Sequence, residues 1–202
     1  MTAPEDLPVA GTVVILRDAA DGFEVLLLRR PDRGSFAGAW VFPGGKVEPG
    51  DRRPGATEID DAERAGIRET KEEVGLVIDS LRALSQWQPP REAPTRIRTW
   101  FFVAMSRGVE PSPSPDEVAE LAWVTPAEAL ARHARGEWTL FPPTWVTLHL
   151  LSDFSDADSV MTSAGEPALF RTRVLETESG RAFAWEQGRL DAGTLPWRYE
   201  PA

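Results

Sequence analysis

Residues 44–76 read GGKVEPGDRRPGATEIDDAERAGIRETKEEVGL, and this stretch decides the fold that the sequence predicts. Near its end, Glu69, Glu72 and Glu73 are spaced i, i+3 and i+4, so their carboxylates share one face of a helix. Clustered carboxylates repel one another unless a cation neutralises them, and Mg²⁺ prefers hard oxygen ligands of this kind. Taken alone, the same residues are also typical of a solvated helix end with Gly75 as its cap.

The residues before this helix favour a metal site over a plain helix end. Residues 41–43 have the composition of a buried strand, and they lead into a turn formed by Gly44 and Gly45. Two glycines let the backbone approach a metal ion or a phosphate closely, because no side chain stands in the way. A strand, a glycine turn and an acidic helix in this order indicate a site for a metal ion and a diphosphate.

The stretch resembles the Nudix box, G-x5-E-x7-R-E-U-x-E-E-x-G-U, in which U is a bulky apolar residue. Gly45 matches the opening glycine, and the end of the box is matched by Arg68, Glu69, Glu72, Glu73, Gly75 and Leu76. Thr70 departs from the pattern, because it stands where a bulky apolar residue belongs.

The box is also nine residues too long. Asp51 takes the place of the first glutamate when the spacing is counted from Gly45, and Asp60 takes it when the spacing is counted from Arg68. Residues 52–55 have the composition of a surface loop and hold much of the extra length. The sequence leaves open which aspartate replaces the glutamate.

The resemblance implies an α/β fold, an α/β/α sandwich with a mixed β-sheet. It also implies Mg²⁺-dependent hydrolysis, with Mn²⁺ as a substitute, of a nucleoside diphosphate linked to another group. The implied metal ligands are the carbonyl of Gly44 and the carboxylates of Glu69, Glu72 and Glu73. Arg68 is expected to orient these carboxylates rather than contact the substrate.

A general base must reach the attacking water, and in the Nudix superfamily it is a glutamate of the box or of a later loop. We prefer Glu117, which follows the Pro-Ser-Pro-Ser-Pro run at residues 111–115, and keep Glu120 as the other candidate outside the box. Both residues are equally consistent with solvated acids of a loop.

Three arginines precede the glycine turn, namely Arg29, Arg30 and Arg33. We expect them to bind substrate phosphates together with Gly45, although solvated loop charges are an equal alternative. Residues 26–45 partly resemble the coenzyme A diphosphatase motif, L-L-T-x-R-(S/A)-x3-R-x3-G-x3-F-P-G-G. Arg30 stands where the motif has Ser or Ala, and Gly34 where it has a second Arg.

Coenzyme A or an acyl-coenzyme A is therefore the expected substrate. Hydrolysis of ADP-ribose or NADH is the alternative, because residues 85–90, Ser-Gln-Trp-Gln-Pro-Pro, faintly resemble a motif of NADH diphosphatases. A non-catalytic nucleotide-sensing Nudix module is the alternative of another class. It is disfavoured because such modules tend to lose box carboxylates, whereas all three glutamates are present here.

The composition of the chain indicates its domain count, its partners and its compartment. The 202 residues are 42% apolar and 27% charged, which is typical of one soluble domain, so we expect residues 1–202 to form a single domain. Within it we expect a loose tail at residues 1–8 and a packed C-terminal extension at residues 153–202. A net charge of −10 argues against nucleic acid as a partner, and no signal or membrane segment is evident, so a cytoplasmic protein is expected. The resemblance also allows a homodimer.

Hydrophobic patterning predicts the order of the elements. Strands are predicted at residues 9–17, 23–29, 40–42, 77–88, 95–105 and 116–124, followed by a hairpin of residues 169–175 and 181–185. Helices are predicted at residues 59–74, 126–135 and 141–151.

Overall fold

The computed structural model describes residues 7–34, 36–178 and 180–202, so most of the tail expected at residues 1–8 lies outside the described residues. The strands are β1 (Val9–Ala19), β2 (Gly22–Arg29), β3 (Trp40–Val41), β4 (Gly44–Lys46), β5 (Arg82–Gln88), β6 (Arg98–Met105), β7 (Glu120–Val124), β8 (Ala168–Arg171), β9 (Arg173–Thr177), β10 (Gly180–Trp185), β11 (Gly188–Asp191) and β12 (Arg198–Pro201). The helices are α1 (Glu58–Val74), α2 (Pro126–Ala134), α3 (Pro142–Leu151) and α4 (Ala157–Ser163), with one 3-10 turn at Pro49–Asp51.

The main sheet is mixed and has eight strands. Its central order is β3-β2-β1-β6-β5-β8, with β4 paired to β1 and β7 paired to β2. The β1–β6 and β5–β8 pairs are parallel, and the other pairs of this sheet are antiparallel. The predicted mixed α/β sheet is therefore confirmed.

Helices cover both faces of the main sheet. Alternate residues of β2 separate the two cores: Leu26 and Leu28 pack on the α1 side with Val74, whereas Val25 and Leu27 pack on the side of α2, α3 and α4. This alternation is the period of two that a strand imposes on its side chains. The resulting layers form the expected α/β/α sandwich.

Helix α1 lies unusually close to strand β1. A Cβ atom at Gly11 would come within 1.9 Å of the Ala62 carbonyl oxygen and within 2.9 Å of the Gly66 nitrogen. Only a glycine fits at this contact, because real side chains do not approach backbone atoms so closely. The close packing carries the carboxylate end of α1 toward the glycine turn of β4.

The start of α1 is fixed by a capping box and by contacts to the sheet. The Thr57 hydroxyl accepts from the Asp60 N–H, and the Asp60 carboxylate accepts from the Thr57 N–H. Glu58 accepts hydrogen bonds from Arg98 at 2.6 Å and from the indole of Trp100 at 2.9 Å. The side chains of residues 52–55 are exposed, as expected for a loop.

Three predicted strands begin later than expected. Strand β5 begins at Arg82 within the predicted segment 77–88, β6 begins at Arg98 rather than residue 95, and β7 begins at Glu120 rather than residue 116. The last shift has a local cause, since the Val118 N–H donates to the Ser114 carbonyl and closes a turn just before β7. In the described part of the chain, no helix combines the length and apolar character that a membrane span requires.

The hairpin predicted near the C-terminus is only partly correct. Residues 169–175 were expected to form one strand, but the chain changes sheet at Thr172, whose N–H donates to the Gln88 carbonyl. Strand β8 pairs with β5 of the main sheet, while β9 pairs with β10 in a separate antiparallel sheet of order β12-β11-β10-β9. Strands β11 and β12 were not predicted, because such short strands carry little periodic signal.

Candidate functional site

Arg68 holds the centre of the candidate site. Its Nε and Nη2 atoms donate to the two carboxylate oxygens of Asp51 at 3.1 and 3.0 Å, while Nη1 donates to Glu69 at 2.9 Å and to Glu72 at 2.8 Å. Nη2 also donates to the Lys46 carbonyl. The hydrogen bonds that Arg68 donates to Asp51 outweigh partial burial and raise the pKa of Arg68, so this guanidinium stays charged.

The structure distinguishes the two aspartates of the lengthened box. Asp51 is buried, and although burial raises its pKa, the hydrogen bonds from Arg68 and from the Glu48 N–H lower it below the usual range overall. Asp60 instead caps α1 through Thr57. Asp51 is therefore the aspartate that fixes Arg68.

Glu73 is the most deeply buried acid of the cluster, with 1% of its side chain exposed. Its Oε2 accepts the Gly44 N–H at 2.9 Å, and its Oε1 lies 2.5 Å from Nη2 of Arg30. Burial raises the pKa of Glu73 to about 7, against the opposing effect of Arg30 and the Gly44 N–H. The glycine turn and the acidic helix are thus in direct contact, as the sequence predicted.

Glu69 lies against the second glycine of the turn. A Cβ at Gly45 would come within 2.2 Å of Glu69 Oε1, so the turn needs a glycine to admit this carboxylate. Burial raises the pKa of Glu69, and the charges of Glu72 and Glu117 add to the effect against Arg68. Glu72 is the exposed member, with 53% of its side chain accessible.

The loop that carries Glu117 is attached to the end of α1. The Ser114 N–H donates to the Glu73 carbonyl and the Ser112 N–H donates to the Val74 carbonyl, both at 2.8 Å. The Pro-Ser-Pro-Ser-Pro composition of residues 111–115 gives no local sign of this contact. The last carbonyls of a helix need hydrogen-bond partners outside the helix, and this requirement could have predicted a contact at the end of α1.

The three arginines expected to act together do not converge. Arg30 reaches the site, where Nη2 donates to the Gly44 carbonyl at 3.1 Å. Arg29 extends β2 on the opposite face and pairs with Glu120 at 2.8 Å and with Asp32 at 3.0 Å. Arg33 is exposed and donates to the Asp116 carbonyl. Arg29 ends β2, and Arg30 continues the extended backbone by donating its N–H to the Ala39 carbonyl. Neighbouring residues of extended backbone point to opposite faces, which explains why Arg29 and Arg30 separate.

The residues fit a divalent cation by their chemistry. Within residues 7–34, 36–178 and 180–202, no three acidic or imidazole side chains converge as they do in a formed metal site. The oxygen atoms of Glu69, Glu72, Glu73 and Gly44 are nevertheless hard ligands within one small region. One guanidinium nitrogen of Arg30 touches both Glu73 and the Gly44 carbonyl, so a cation is already accommodated between these oxygens.

Comparisons with known proteins agree with this arrangement. A Schizosaccharomyces pombe protein named as a probable nudix hydrolase is 32% identical over 118 residues, which are 57% of this chain and 38% of that protein. YtkD of Bacillus subtilis, named as a candidate 8-oxo-dGTP diphosphatase, is 33% identical over 86 residues, which are 43% of this chain and 46% of that protein. The matched segments thus span less than half the length of either relative.

A solved structure and a family model extend the match. The crystal structure of a NUDIX hydrolase from Alicyclobacillus acidocaldarius superposes with a TM-score of 0.71 at 24% identity, over 81% of this chain and 99% of that chain. At this identity the superposition shows a shared fold. The family model for the NUDIX domain matches residues 7–143, which is well over half of the chain. The chain therefore belongs to the Nudix domain family.

Proposed function

We propose that this protein is a Mg²⁺-dependent hydrolase that cleaves the diphosphate of a nucleoside diphosphate linked to another group. The observation that carries the proposal is the contact between the acidic face of α1 and the Gly44–Gly45 turn, held in place by Arg68 and Asp51. This geometry presents carboxylate and carbonyl oxygens beside a backbone that a phosphate approaches without a steric barrier.

The residues of the site have separate proposed roles. Glu69, Glu72, Glu73 and the Gly44 carbonyl would hold the metal. When bound, Mg²⁺ supplies charge neutralisation at the phosphates and a lowered pKa for bound water. Arg68 orients Glu69 and Glu72 through its two hydrogen bonds at 2.9 and 2.8 Å.

Glu117 is the proposed general base. Its carboxylate accepts the proton of the water that attacks phosphorus, and its loop is fixed to α1 through Ser114. The competing acid outside the box, Glu120, is paired with Arg29 on the opposite face of β2. That pairing supports the choice of Glu117.

Coenzyme A or an acyl-coenzyme A is the proposed substrate. Support comes from the motif at residues 26–45, and from Arg30 and Arg33 on the loop that precedes the turn. Coenzyme A carries a 3′-phosphate, which gives an exposed arginine such as Arg33 a use. Because Arg29 is paired on the other face, it is the weakest member of the proposed substrate site.

Rates on coenzyme A, dephospho-coenzyme A, NADH and ADP-ribose, each with Mg²⁺ and with Mn²⁺, test the proposal. We expect metal-dependent hydrolysis with a clear preference for coenzyme A over its dephospho form. Equal rates on these two would remove the arginine site for the 3′-phosphate, and a preference for NADH or ADP-ribose would reject coenzyme A. Metal-dependent binding without hydrolysis of any of the four would instead indicate a nucleotide-sensing module.

A further inference from the structure

One nitrogen atom of Arg30 occupies the space between two proposed metal ligands. Nη2 lies 2.5 Å from Oε1 of Glu73 and 3.1 Å from the carbonyl oxygen of Gly44. Mg²⁺ binds oxygen at about 2.0–2.1 Å, so an ion bonded to both oxygens would overlap this nitrogen and be repelled by its charge. The guanidinium and a metal ion therefore exclude each other at this place.

The buried carboxylate explains why a guanidinium is held there. Glu73 has 1% of its side chain exposed, and the Gly44 N–H satisfies only one of its two oxygens. A buried carboxylate that lacks a counter-charge is strongly destabilising. Arg30 supplies that counter-charge in the protein without metal.

The Arg30 side chain can release its partners in the site, whereas Arg68 is held in place. Arg68 is fixed by two hydrogen bonds to Asp51, which is not a proposed ligand, and it keeps these bonds whatever the glutamates hold. Arg30 is anchored through its backbone, whose N–H donates to the Ala39 carbonyl at 2.9 Å. Its flexible side chain, 23% exposed, stays within reach of the site after it releases Glu73.

We propose that Arg30 is an exchange residue. In the metal-free protein it binds Glu73 and the Gly44 carbonyl. When a metal ion binds these oxygens, Arg30 releases them and binds an oxygen of the substrate diphosphate. The inference rests on the proposed function, because it needs a divalent ion and a diphosphate at this site. A displaced guanidinium is repelled by the metal and attracted by the phosphates, so metal binding prepares the site for its substrate.

A single substitution should therefore change two affinities in opposite directions. In calorimetry without nucleotide, Arg30→Gln should bind Mg²⁺ about tenfold more tightly than the wild-type protein does. The same variant in saturating Mg²⁺ should bind α,β-methylene-ADP, whose P–C–P bridge cannot be hydrolysed, about tenfold more weakly. Arg107→Gln is the matched control, since it removes the same charge from a side chain that is 69% exposed and paired with Asp79. An unchanged affinity for either probe in Arg30→Gln would overturn the proposal.

The wild-type protein offers a second test that needs no stable variant. The ¹⁵N signal of the Arg30 side chain, assigned by through-bond correlation to the Arg30 backbone amide, should shift and exchange faster with water when Mg²⁺ is added without nucleotide. A signal that stays constant while calorimetry shows Mg²⁺ binding would overturn the exchange and leave the proposed function standing. A protein that binds no Mg²⁺ at all would refute the proposed function and the exchange together.

Discussion

Substitution of Gly45 by alanine should disable the site without removing any of its polar groups. The new Cβ would lie 2.2 Å from Glu69 Oε1 and 2.3 Å from its carboxyl carbon. An ordinary van der Waals contact is 3.4 Å or longer, so the carboxylate must retreat by about 1.2 Å. Glu69 is a flexible side chain at the edge of the core, and its retreat should leave the fold intact.

A displacement of about 1 Å in a positioned group costs roughly 10²-fold in rate, which corresponds to about 2.7 kcal/mol. We therefore expect kcat/KM of Gly45→Ala to fall by about two orders of magnitude on any diphosphate substrate that the wild-type protein cleaves. The assay is release of the nucleotide product, which is adenosine 3′,5′-bisphosphate for coenzyme A, at saturating Mg²⁺, together with a thermal melt of the metal-free protein. The melting temperature should stay close to that of the wild-type protein.

Two neighbouring glycines provide matched controls. A Cβ at Gly44 would meet backbone atoms, the Gly11 carbonyl oxygen at 2.4 Å and the Thr12 Cα at 2.7 Å, so Gly44→Ala should lower the melting temperature. A Cβ at Gly50 meets nothing within 4 Å, so Gly50→Ala should change neither activity nor stability. Full activity of Gly45→Ala would refute the argument that the position of Glu69 matters. A loss of stability equal to that of Gly44→Ala would show that the backbone moves in place of the carboxylate.

The remaining predictions concern the acids of the site. Because burial raises the pKa of Glu73 from 4.5 to about 7, its contribution to the stability of the metal-free protein is complete below pH 4.5 and lost as the pH rises through 7. In urea unfolding with EDTA, the free energy of unfolding of the wild-type protein should fall by at most about 3 kcal/mol over this pH range, and Glu73→Gln should lack this decline. Equal pH slopes in the two proteins would contradict the raised pKa of Glu73. Asp51→Asn should lower kcat/KM about tenfold or more, whereas Asp60→Asn should lower only the melting temperature, and the reverse order would exchange their roles. Glu117→Gln should reduce kcat by 10²–10⁴-fold with Mg²⁺ affinity unchanged, and a larger effect of Glu120→Gln would move the base to that residue.

The acidic face of α1 was predictable from spacing alone. Three carboxylates at i, i+3 and i+4 share a face in any α-helix, and the boundaries of α1 differ from the prediction by one residue. The choice between Asp51 and Asp60 was not predictable in the same way. It depends on where the helix begins, and the capping pair of Thr57 and Asp60 shows this only once the first turn is formed.

Other differences follow from tertiary contacts that a local pattern does not contain. Strand alternation applied at the predicted end of β2 implies the separation of Arg29 from Arg30, but the partner of Arg29, Glu120, comes from β7 and lies far away in the sequence. The break at Thr172 depends on which sheet accepts each half of residues 168–177, and both halves have similar strand propensity. The ion pair between Arg30 and Glu73 was not predictable either, because Arg30 precedes Glu73 by more than forty positions in the chain.

Strand β8 is the last strand at one edge of the main sheet. It pairs in parallel with β5 through Ser85 to Gln88, and Phe170 stacks on Trp87 with ring centroids 4.1 Å apart. Without β8, the seven-residue strand β5 would be the open edge, which is a template for association with another strand. Strand β8 has four residues and lies outside residues 7–143, the region that the family model matches. Residues beyond the matched region thus shorten the exposed edge of the sheet, which leaves less template for edge-to-edge association.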